Sequence, residues 1–277
     1  LSKKVVLSKH VNLKEILFIP SGYQLILKPG TIINLQANGG ILSYSPVVAK
    51  GTNSSPITVT GLSLLNNGFQ ILNQGDEKSV LEYVEFDKLS SFNYKGWSLT
   101  GGVTIYKSNV LINHCTFKNN TCEDALNLVN CSFTMSNCLI ENTFSDGFDA
   151  DFCTGTVDNV VINKAGNDGL DFSGSEITVT NIQIFAPGDK AISGGEGSTV
   201  TIENGKIQNA KLGVVSKDKS KVTVSKIEFS FCETVFACFQ KKDEYGPASI
   251  SASFCKRMES GSVNLIGKGS FIIEDMV

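Results

Sequence analysis

The sequence predicts an all-β fold: a single right-handed parallel β-helix, a solenoid whose coils repeat about every 22 residues. Three observations predict it. Six segments, ALNLVN (125–130), GFDADF (147–152), GLDFSG (169–174), AISGGE (191–196), GVVSKD (213–218) and VFACFQ (235–240), start at a constant offset. Between them run β-rich stretches such as FTMSNCLIEN (133–142), GTVDNVVINK (155–164) and VTIENGKIQN (200–209), too short and too evenly spaced for crossover helices. Within each segment the second residue is apolar (Leu126, Phe148, Leu170, Ile192, Val214, Phe236), which makes one inward stack running up the solenoid.

Each part of the chain fits this frame. Residues 1–102 read as wider, irregular coils in which Ile41 and Phe69 begin the same stack at longer spacing, with an insertion at 87–101 (DKLSSFNYKGWSLTG). Residues 103–240 are the regular coils, and 241–277 read as last coils with a cap over the exposed end. The 26 glycines and 6 prolines are spread along the chain and no linker divides two compositions, so 1–277 is one elongated domain. Asn137, Asn159 and Asn181 recur one period apart between strands, which predicts an asparagine ladder bonded from coil to coil.

Composition excludes several classes. A net charge of −3, with Arg257 the single arginine among 24 basic residues, argues against nucleic acid as a partner. No apolar run is long enough to span a membrane. The chain starts at Leu1 with neither methionine nor signal pattern, which reads as a piece of a larger protein. The eight cysteines lack metal-type spacing and read as small buried hydrophobes; Cys131 and Cys153 would stack closely enough for a disulfide without requiring one. His114 reads as a structural strand residue, and His10 is uninformative.

Outward positions next to the apolar stack turn acidic. Asp149 and Asp171 are neighbours in one outward column about 4.8 Å apart, Asp151 lies two residues along its strand, and Asp146 and Asp168 repeat in the turns before. Asp-Gly turns explain Asp146 and Asp168 equally well as chain bends. Mid-strand Asp149 and Asp171 are disfavoured as structure and point to a cation or a shared proton. An oxygen-only set of Asp146, Asp149, Asp151, Asp168 and Asp171, with Asn127 and Ser173 at its margins, suits calcium. Farther along, Asp189-Lys190, Glu196, Lys217-Asp218 and Lys241-Lys242 change the sign of the surface, a pattern suited to a charged glycan.

This repeat resembles the pectate-lyase-like right-handed β-helix superfamily over roughly residues 20–265. PSGYQLILKPGTIINL and GNDGLDFSGS also resemble β-helix modules of large bacterial surface proteins, some beside CotH-type kinase domains. The superfamily resemblance implies an extracellular or cell-surface protein that engages an acidic polysaccharide. One catalytic scheme is calcium-assisted β-elimination, drawing on Asp149 and Asp171 with Lys190 or Lys217 as base, and with Asn127, Ser173, Ser193, Glu196 and Tyr106 contacting substrate. Lys190 is held by Asp168 and Asp189, whereas Lys217 is freer but about 10 Å, two coils, from Asp171. Its exposed charge implies little stability lost on truncation. The alternatives are glycoside hydrolysis by an aspartate pair, although Asp-Asp and Gly-His-Gly motifs are absent, and a non-catalytic module whose Tyr44, Tyr106, Phe239, Tyr245 and Trp97 stack on sugars.

Overall fold

A computed structural model describes residues 3–72, 75 and 77–275. Among these residues there is no helix, and the predicted solenoid is present. One face is an 11-stranded parallel sheet running from the strand Ile16–Ile19 to the strand Leu265–Ile266. The other sides are formed by a continuous 20-stranded sheet that folds around the core.

The bends of each coil are single residues in the left-handed region. In one coil these are Asn130, Asn137 and Asn142, with φ of 55°, 53° and 51°. Asparagine tolerates this region at low cost, which is why the coil corners are asparagine-rich. The ladder forms with one difference from expectation. Asn137 donates to Asn113 at 3.0 Å, Asn159 to Asn137 at 2.8 Å and Asn204 to Asn181 at 2.6 Å. Asn181 instead donates to Asp158 at 2.7 Å, because the carboxylate is the stronger acceptor. His114 sits in a turn rather than a strand, at φ 51°, and stacks on Tyr83 at 4.5 Å.

Inside, Leu126, Phe148, Leu170, Ile192, Val214 and Phe236 pair in consecutive register and are all buried. The same row continues through Val103 and Phe69 to Ile41. Phe148 meets Phe133 and Phe172 edge-on, at 5.5 and 5.9 Å between centroids. Seven of the eight free cysteines are buried, and Cys153 Sγ accepts the Cys131 amide hydrogen at 3.3 Å with no disulfide between them.

Two departures from the regular coil matter. After the strand Val84–Asp87 the chain makes an antiparallel hairpin, Phe92–Tyr94 with Trp97–Leu99, before the strand Gly101–Tyr106. Phe92 is buried with Leu42 and Leu72 on the outside of the 11-stranded sheet. At the C-terminal end the strand Phe271–Asp275 pairs onto the stack, and Val263, Leu265, Ile266, Phe271 and Ile273 are exposed there. Among the described residues no helix is long and apolar enough to cross a membrane.

Candidate functional site

The acidic residues arise from three columns of the 11-stranded sheet. At the starts of the strands, Asp124, Asp146 and Asp168 stack, with Lys190 one coil above Asp168. This column can stack tightly because glycines follow it: a Cβ at Gly147 would lie 2.7 Å from the Gly169 carbonyl oxygen, and one at Gly169 would lie 2.6 Å from that of Ala191. On the strands, the register places Asn127, Asp149, Asp171 and Ser193 in one outward row and Val129, Asp151 and Ser173 in the next. The groove they form has a volume of about 450 Å³ and is bordered by Ser98, Leu99 and Thr100 at the end of the hairpin and by Tyr106.

Asp146 and Asp168 hold the bends of the next coil, through bonds to residues 21 or 22 positions on rather than as local Asp-Gly turns. Asp146 Oδ1 accepts the backbone N–H of Asp168 at 3.0 Å and the Asn167 amide at 2.7 Å, and Asp168 Oδ1 accepts the backbone N–H of Lys190 at 3.1 Å. They are also more than bends, since carboxylate oxygens of Asp146, Asp168 and Asp171 all lie within 4.8 Å of one another. Asp171 Oδ1 is buried with no hydrogen-bond partner, an orphan acceptor that a cation or a donor could satisfy. An oxygen-only set of this kind fits calcium. Asp149 and Asp151 lie outside that trio: Asp149 Oδ2 accepts from Asn127 at 2.8 Å, and Asp151 is half-buried at the groove's edge.

Crowding raises the proton affinity of the column. Burial, reinforced by Asp151, Asp124, Asp171 and Asp146, pushes Asp149 up to about 9. Burial likewise takes Asp124 up to about 7, against a hydrogen bond from Thr100 that favours its charge. Asp168 rises only to about 6, because the nearby Lys190 ammonium offsets its burial. Asp151 is raised by burial and by Glu196 and Asp171.

The two lysines differ from each other. Lys190 Nζ lies 3.2 Å from both oxygens of Asp168 and 2.5 Å from Asp189. Burial works against its charge, yet these carboxylates outweigh it and hold its pKa above the ordinary value, so Lys190 is a locked counter-ion. Lys217 is not two coils out of reach: its Nζ lies 3.6 Å from Asp171 Oδ2. The reason is Gly195, whose position between them has no side chain; a Cβ there would lie 2.8 Å from Lys217 Cε. The Lys217 stem therefore lies back along the sheet and is almost fully buried, so truncation will not leave stability untouched.

The same lysine corrects one expected contact. Ser193 is completely buried, with its hydroxyl unpartnered, in the row that Lys217 crosses, and it is not presented to a polymer. Ser173 is half-buried on the groove wall, Tyr106 lines the groove, and Glu196, beyond the strand end, is paired with Lys242. Asp124 and Thr100 were not among the expected site residues. Asp124 was detectable, for it lies one period before Asp146 and two before Asp168.

An outward acidic groove on a parallel solenoid is thus the class of molecule that fold and site define. The chain belongs to the right-handed β-helix family: the family model described as "Right handed beta helix region" matches residues 124–274. No curated protein matches it. Among solved structures it is similar to the periplasmic alginate epimerase AlgG, with a TM-score of 0.58 and 11% identity over 99% of this chain and 85% of that one. Others are an alginate lyase from Paenibacillus sp. str. FPU-7 (TM-score 0.45, 17% identity, 86% of this chain and 92% of that one) and pectate lyase Pel9A (0.47, 14%, 88% and 71%). At these identities the likeness is one of fold.

Proposed function

We propose that the chain acts on an acidic polysaccharide outside the cell or at its surface, holding calcium on Asp146, Asp168 and Asp171 and cleaving the polymer by β-elimination. The observation that carries this reading is the convergence of the three carboxylates beside Lys217, with one Asp171 oxygen left buried and unpartnered. When bound, calcium supplies neutralisation of the substrate carboxylate and so acidifies the adjacent C–H. Lys217 shares Asp171 with that site; were calcium held there, Asp171 would be divided between the ion and the lysine, and Lys217, having first given a proton to solvent, would take the proton from that carbon. The electron pair left behind forms the new double bond, the glycosidic C–O bond breaks, and the leaving oxygen takes a proton. Asp149, which keeps its proton up to about pH 9, stands in the same row as a donor. Tyr106, Asn127 and Ser173 line the walls that orient the chain.

The raised proton affinity of Asp149 also favours a second reading, glycoside hydrolysis with protonated Asp149 as acid and a neighbouring carboxylate, Asp151 or Asp171, as base. Incubation with alginate, polygalacturonate and neutral glucans, in calcium and in chelator, tests both. Unsaturated, ultraviolet-absorbing ends that need calcium support elimination. New reducing ends without unsaturation would replace it by hydrolysis, and binding without new ends would make the chain a binding module.

A further inference from the structure

The hairpin at 92–99 is the only antiparallel pair of strands among the described residues, and the solenoid does not need most of it. Followed toward the N-terminus, the row of Asp171, Asp149 and Asn127 runs on in register through Thr104 and Gln70 to Leu42. That apolar end is covered by Phe92, which is 1% exposed. The base of the hairpin, Phe92 with partly buried Leu99 packed against the same cluster, therefore does the covering. Tyr94 and Trp97, paired across the hairpin, remain 45% and 56% exposed.

Their placement is set by a tight turn and an anchored base. Lys95 and Gly96 both have positive φ, 48° and 83°, the geometry of the tight two-residue turn that matches strand twist. Phe92 anchors the base, with its ring 6.4 Å from that of Tyr94. The strand carrying Trp97 continues directly into Ser98, Leu99 and Thr100, which border the acidic groove. Lys95 Nζ stands 5.2 Å from the Tyr94 ring centre, so the tip offers aromatic faces beside a positive charge.

Apolar ring faces next to an ammonium complement a sugar that presents C–H groups on its faces and a carboxylate at its edge. We infer that the hairpin is an aromatic arm, with Trp97 and Tyr94 stacking on a uronate unit of a polymer whose neighbouring units lie in the acidic groove. The inference rests on the proposed function and adds a binding subsite remote from the carboxylates. It makes long oligomers bind better than short ones.

Trp97 is the single tryptophan of the chain, so its emission reports the arm alone. Uronate oligomers of increasing length are titrated into the full chain in calcium buffer, followed in parallel by fluorescence and calorimetry. The expected result is an emission shift that saturates with the heat for long oligomers, and a loss of about tenfold in their affinity in Trp97→Ala. Because Trp97 is exposed, this variant keeps the wild-type melting temperature; Tyr94→Ala gives the same loss. Binding heat with unchanged emission and unchanged variant affinity overturns the arm and leaves the groove standing. Absence of heat in the wild type overturns both.

Discussion

Replacing Asp149 by asparagine removes a titratable carboxyl from the most crowded point of the acidic groove while leaving an oxygen to accept the Asn127 amide. Folded Asp149 holds its proton to about 9, whereas the unfolded chain releases it near 3.8. Between those values the folded state binds more protons. The stability fully present below the unfolded value is therefore lost as pH rises toward the folded one. At about 1.4 kcal/mol per pH unit, the loss reaches about 4 kcal/mol by pH 7. Asp124 and Asp168, raised to about 7 and about 6, steepen the fall at lower pH, so the interval above about 7.5 belongs to Asp149. Urea unfolding in chelator at a series of pH values reads this directly. Asp149→Asn should flatten the curve between about pH 7.5 and 9 and, at pH 8, exceed the wild type by about 5 kcal/mol. Parallel curves, or a variant less stable at pH 8, would refute the reasoning, because the carboxylate would then be a structural acceptor rather than a strained charge.

Three further outcomes are expected. Phe148→Ala should lower stability by about 3–5 kcal/mol, and Phe144→Ala, on the exposed turn of the same coil, by under about 0.5 kcal/mol in the same urea series. Lys217→Met keeps an apolar stem over Gly195 but strands Asp171. Denaturation at pH 7 should show a loss of about 1–3 kcal/mol that calcium reduces, and turnover on uronate polymer should vanish. Asn159→Ala removes the amide to Asn137 and forces alanine to φ 51°, costing about 1–2 kcal/mol in thermal melts without changing substrate affinity.

The regular coils were legible because one residue type recurs at a fixed offset: once Leu126 and Phe148 are in phase, the positions beside them must face outward. Asp149 and Asp171 followed from that phase alone. Asp124 lies at the same phase as Asp146 and Asp168 but precedes Ala125 rather than a glycine, so no Asp-Gly signal marks it. The reach of Lys217 was not legible, since a glycine at 195 gains meaning only when the side chain above is seen lying across it. The apolar end of the groove was hidden for a different reason. Leu42, Gln70 and Thr104 belong to coils of unequal length, so no constant offset links them to Asn127, although the register does.

The central claim is that the carboxylates of Asp146, Asp168 and Asp171 hold a cation for an anionic polymer. Calorimetric titration of calcium into the metal-free chain, paired with melts in calcium and in chelator, tests it most directly. Binding of one ion per chain that raises the melting temperature, with both effects lost in Asp171→Asn, is the predicted result. Absence of heat together with identical melts in calcium and chelator would contradict it.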